Sequence, residues 1–62
     1  MTENRTFTNA DKLAAVLREI GFRKRVYPNL IRQNRMTKAD ADQQLAVMEA
    51  IADDYKQPDL LA

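Results

Sequence analysis

Residues 36–55, MTKADADQQLAVMEAIADDY, decide the fold. Thr37 suits a helix N-cap, because its hydroxyl can accept from an amide of the exposed first turn. Asp40 then stands at the third helical position, where its charge meets the positive end of the dipole. Met36, just before the cap, is placed to pack on Ala41 as a hydrophobic staple. Beyond it Ala41, Leu45, Met48, Ala52 and Tyr55 step by four, three, four and three, which marks one face of a helix. Val47 and Ile51 widen the stripe on one side. Gln57-Pro58 is expected to end the helix, giving a span of 38–56.

A second periodic run lies upstream. Thr8 or Asn9 can cap it, Thr8 being the better choice because Asp11 follows three residues later. Leu13, Val16, Leu17 and Ile20 recur at helical spacing, and the same face reaches Tyr27. Glu19 and Arg23 stand four apart, acid before base, in the supportive order. Gly21, the one glycine of the chain, allows two readings. Either the helix stops at Ile20 with Phe22 folding back, or it tolerates the glycine at a cost of about 1 kcal/mol. Continuation is preferred, since Phe22 to Val26 contains no other breaker. Pro28 restricts Tyr27 and is read as the stop, opening a short corner helix over 28–34. The first helix is then expected at 9–26. Lys24 falls where that stripe calls for an apolar residue, so either the helix has ended or turned by then, or its stem lies over the core while its ammonium reaches an acid, Glu49 or Asp53.

The expected fold is thus all-α, a helical hairpin of two long helices with a short corner helix, and no strand. Its domain is 9–57, between tails at 1–8 and 58–62. Sixty-two residues sit where one core gives marginal stability. Without cysteine or histidine, disulfides and the commonest zinc ligands are excluded, which leaves efficient helix packing or self-association, and a homodimer is expected. No apolar run approaches the roughly 18 residues that a membrane span needs, and Met1 to Asn9 lacks the apolar segment of a signal peptide. The expected location is cytoplasmic, with no membrane partner.

Catalysis needs a nucleophile with a base, a tuned acid–base pair or a metal. This chain has no serine, histidine or cysteine, its threonines lie in the tail or at caps, and one glycine cannot build a phosphate loop. Glu49, Asp53 and Asp54 share part of a helix but read as a solvated acidic face. The chain is therefore expected to be no enzyme and to take no cofactor or metal.

Charge is unevenly placed. Between residues 18 and 38, Arg18, Arg23, Lys24, Arg25, Arg32, Arg35 and Lys38 stand against Glu19 alone, whereas six acids follow from Asp40 onward against Lys56. The seven basic residues are the candidate binding residues. Such asymmetry marks a surface for nucleic acid or an acidic protein, or else two halves of a hairpin or dimer attracting each other. Phe22 and Tyr27 bracket the Arg23-Lys24-Arg25 run, an arrangement that suits base stacking, but with Tyr55 they are first read as members of a very small core.

The stretch from Leu17 to Tyr55, with Arg23, Arg25, Val26-Tyr27-Pro28, Arg35-Met36-Thr37, Ala41 and Met48-Glu49-Ala50-Ile51, resembles small uncharacterised proteins encoded by tailed phages and prophages of proteobacteria. Gly21 departs from the small helix former, such as alanine, found there. The resemblance implies a phage or prophage origin and action within the host cell, and assigns no activity. Two functions are expected from these readings: an interaction protein that binds a protein partner as inhibitor or adaptor, or a nucleic-acid-binding accessory protein using the basic region.

Overall fold

The computed structural model describes residues 6–56. They form two helices, α1 at Asn9–Arg32 and α2 at Lys38–Lys56, packed against each other as an antiparallel hairpin with no strand among the described residues. Both helices start as their sequences direct. The Thr8 hydroxyl accepts from the Asp11 amide at 3.0 Å while the Asp11 carboxylate accepts from the Thr8 amide at 3.0 Å, a reciprocal capping box. The Thr37 hydroxyl accepts from the Asp40 amide at 3.0 Å. The expected end at Gln57-Pro58 lies outside the described residues.

Helix α1 departs from expectation at its C-terminal end. It runs through Gly21, whose φ is not positive, in line with the preferred reading, but it does not stop at Val26 ahead of Pro28, which sits inside the helix. There is no separate corner helix at 28–34; its residues are the last turn of α1 and the connecting turn. A helix-interior proline costs about 3 kcal/mol through a lost hydrogen bond and ring crowding. Two features oppose that cost here. Ile31 lies eleven residues past Ile20, three turns along the same face, and lines one groove with Ala41 and Leu45 of α2. The helix then ends on a Schellman motif. Asn34 takes φ 59°, its amide donates to the Ile31 carbonyl at 3.0 Å, and the Arg35 amide donates to the Leu30 carbonyl at 2.9 Å. The left-handed residue that reverses the chain is therefore Asn34, a type that tolerates that conformation.

The core is very thin. Among the described residues only Ile20, Ala41 and Ala52 are buried. Two alanines opposite the α1 stripe let the helices approach closely but contribute little area. Leu13, Val16, Tyr27, Ile31, Leu45, Met48, Ile51 and Tyr55 are half-buried at best, since one layer of two helices has nothing above or below it.

Candidate binding surfaces

The straight hairpin distributes the seven basic candidates in four directions. Arg18, Arg25 and Arg32 recur every seven residues along α1, so they form one stripe about 10 Å apart. This stripe lies on the side of α1 opposite Ile20, facing away from α2, and all three residues are exposed. Arg23 points to one flank, where its Nε donates to Glu19 Oε2 at 2.7 Å and its Nη1 donates to the Tyr27 hydroxyl at 3.4 Å. The hydrogen bond to Glu19 raises the guanidinium pKa above its ordinary value and leaves the charge matched.

Lys24 and Lys38 point to the other flank. Lys24 Nζ lies 3.6 Å from Glu49 Oε2, as its position in the stripe requires, and Lys38 Nζ donates to Asp42 Oδ2 at 3.1 Å. Between these lysines runs a groove of about 360 Å³ with Tyr27, Pro28, Ile31, Ala41 and Leu45 on its floor. Arg35 lies exposed in the turn. Among the described residues, Arg18, Arg25, Arg32 and Arg35 meet no carboxylate, while the other three do.

Phe22 is the residue that sequence reasoning misplaced. It is 51% exposed on the outward face of α1, between Arg18 and Arg25, and takes no part in the core. The Arg25 guanidinium lies 6.0 Å from the centre of its ring. Ala15, Arg18, Glu19, Phe22 and Arg25 together line a shallow depression on this face. The signal was present in the spacing. Phe22 is two residues past Ile20, so in an unbroken helix it turns roughly 160° away from the stripe. Only the alternative break at Gly21 would have folded it inward. Tyr27 and Tyr55 are half-buried at the packed region, as first read, and Lys12 sits 5.6 Å over the Tyr55 ring.

The acids on α2 are dispersed. Glu49 serves Lys24, and Asp53 Oδ1 lies 3.3 Å from Lys56 Nζ. No group of three potential ligands suited to a metal occurs among the described residues. Neither helix is long and apolar enough to cross a membrane. No family model matches the chain, and no curated protein or solved structure is significantly similar to it.

Proposed function

We propose that the chain is a small, non-enzymatic, self-associating binding module that holds an acidic protein partner on the outward face of α1, inhibiting or adapting it. The observation that carries this reading is Phe22. A half-exposed aromatic side chain has no use in the packing of this hairpin, and it stands between two arginines beside the small side chain of Ala15. Aromatic and arginine side chains are the usual energetic anchors of protein interfaces, because they combine large contact area with charged hydrogen bonding. Arg18 and Arg25 frame the ring, and Arg32 extends the face toward the turn. The resemblance of Leu17–Tyr55 to phage and prophage proteins supports a partner met in the cytoplasm of the host cell.

A second reading, nucleic-acid binding, has its own observation. Four arginines lack a carboxylate partner among the described residues, so phosphates would compete there with no acid of the described hairpin. Counterion release makes such binding fall steeply with salt. The Phe22 ring favours the protein reading, because Arg25 already lies against it and leaves less of its surface for a base.

The test is affinity capture from nuclease-treated host lysate with wild type, Phe22→Ala and the pair Arg18→Gln/Arg25→Gln. A protein retained by wild type and lost with both variants supports the proposal. Retention of no such protein, with steeply salt-dependent binding to an arbitrary oligonucleotide, would replace it by the second reading.

A further inference from the structure

We infer that a second copy of the chain covers the flank carrying Val16, Val26, Leu30, Val47, Met48 and Ile51, with the twofold axis parallel to the helices, so that α1 of each copy lies on α2 of the other. This rests on the self-association proposed above and adds its face and its geometry.

The two flanks of the hairpin differ in chemistry. Leu17, Lys24, Glu49, Asp53 and Lys56 line a common depression on one of them, and Lys38 and Asp42 continue that side toward the turn. It sets six charged side chains, Lys24, Lys38, Asp42, Glu49, Asp53 and Lys56, around the apolar groove of Tyr27, Pro28, Ile31, Ala41 and Leu45, so a broad cover there would have to desolvate them. On the opposite flank, where Lys12 covers Tyr55, helical spacing from the buried Ile20 and Ala52 places the six apolar side chains just named. Val47 is 47% exposed there. The charged pair at the middle of this flank, Arg23 and Glu19, is joined at 2.7 Å and further satisfied by the Tyr27 hydroxyl. Covering that pair would not strand an unpaired charge, the usual penalty for burying an ion, and Lys12 and Asp40, which the same spacing puts on this side, lie at its two ends where the rim stays wet.

Size and core argue for a second copy as the occupant. The flank measures roughly 28 Å by 20 Å, from the length of α2 and the spacing of two packed helices. That footprint is about 560 Å² in projection, toward the small end of stable dimer interfaces, which bury about 800 Å² of accessible surface per partner. With three buried residues among those described, two of them alanine, the hairpin gains from such cover, and another copy is present wherever the chain is made.

Charge then selects the axis. Helix α1 carries six basic and two acidic residues, and α2 five acidic and two basic. An axis parallel to the helices stacks α1 on α2 of the partner copy, placing unlike charges together. An axis across them would stack α1 on α1 and α2 on α2, with like charges opposed. The selected arrangement puts both turns at one end. It leaves the Arg18, Phe22 and Arg25 faces at diagonally opposite corners of a four-helix bundle, so the dimer is bivalent.

Light scattering should report a dimer for wild type. Val47→Glu should raise its dissociation constant at least 10-fold, whereas Leu17→Glu, at an equal 48% exposure on the charged flank, should leave it unchanged. Because the chain has no cysteine, Gln33→Cys allows one spin label per turn. Turns at one end give a label separation under about 25 Å, and turns at opposite ends about 35 Å or more, the length of α1. The label distance is read on folded dimer and stands even if Val47→Glu fails to fold. A stable monomeric wild type would overturn self-association and this inference together. A dimer broken by Leu17→Glu but not by Val47→Glu would move the interface and spare self-association. A long label distance would overturn the axis alone.

Discussion

Replacing Gly21 by alanine should stabilise the protein, and the sign of the effect tests the straight first helix on which every surface described above depends. Three quantities enter. Alanine is favoured over glycine inside a helix by about 0.8–1.0 kcal/mol, because glycine loses more backbone freedom on folding. A Cβ at Gly21 meets no atom within 4 Å beyond its own helix, so there is no steric cost to subtract. The φ of Gly21 is not positive, so no left-handed strain arises. The net gain is about 1 kcal/mol per chain, which for a chain this small raises the melting temperature by roughly 6–8 °C. If two chains melt together, gain and unfolding entropy both double, and the shift is the same. The assay is thermal melting by circular dichroism, with both proteins at one concentration because association makes the midpoint concentration-dependent. A helix that stopped at Ile20 with Gly21 in the left-handed position would respond oppositely, since alanine there costs about 1 kcal/mol or more. A lowered midpoint for Gly21→Ala would refute the continuous helix and return Phe22 to the core.

Thr8→Ala and Thr37→Ala should each destabilise by about 1 kcal/mol in the same melts, Thr8→Ala the more because its cap is reciprocal. Asn34→Val should cost about 1 kcal/mol or more, and Asn34→Gly should be neutral or slightly stabilising, since φ 59° is strained for a β-branched residue and free for glycine. Phe22→Ala should change the melting midpoint by no more than about 0.5 kcal/mol equivalent while weakening partner binding about 30-fold or more in a titration with the captured partner.

Much of this fold is legible where several local rules agree. At Thr37 the cap, the acid at the third helical position and the apolar steps that follow all point to one start, and α2 begins at the next residue. Lys24 was legible only as a choice between a helix that had ended and a lysine reaching Glu49 or Asp53, and the continuous helix brings its ammonium to Glu49. Pro28 is where local rules fail. Read alone, it stops a helix. What overrides it lies outside its own window, in the seating of Ile31 beside Ala41 and in an asparagine able to take the left-handed turn. Phe22 was obscured by the same kind of uncertainty: its direction depends on Gly21, and a glycine's local sequence does not say which of its conformations the tertiary contacts select. The candidate surface was therefore legible in its charges and not in its aromatic centre.

The charge asymmetry can now be weighed against its internal explanation. Were the basic and acidic halves arranged to hold the hairpin together, ion pairs between α1 and α2 would be numerous. Among the described residues there is one, Lys24 with Glu49, at 3.6 Å with both side chains more than half exposed. Such a surface pair contributes at most about 1 kcal/mol. The remaining pairs, Glu19 with Arg23, Lys38 with Asp42 and Asp53 with Lys56, each lie within a single helix. Asp40 and Asp54 of α2 meet no basic group among the described residues, as Arg18, Arg25 and Arg32 of α1 meet no acid. The described hairpin uses little of its own asymmetry, and charges left unmatched among the described residues can act between molecules. Stacking α1 on α2 of a second copy would draw on part of the surplus at the edges of the dimer, while the outward arginines around Phe22 would still lie beyond that contact, turned toward whatever binds there.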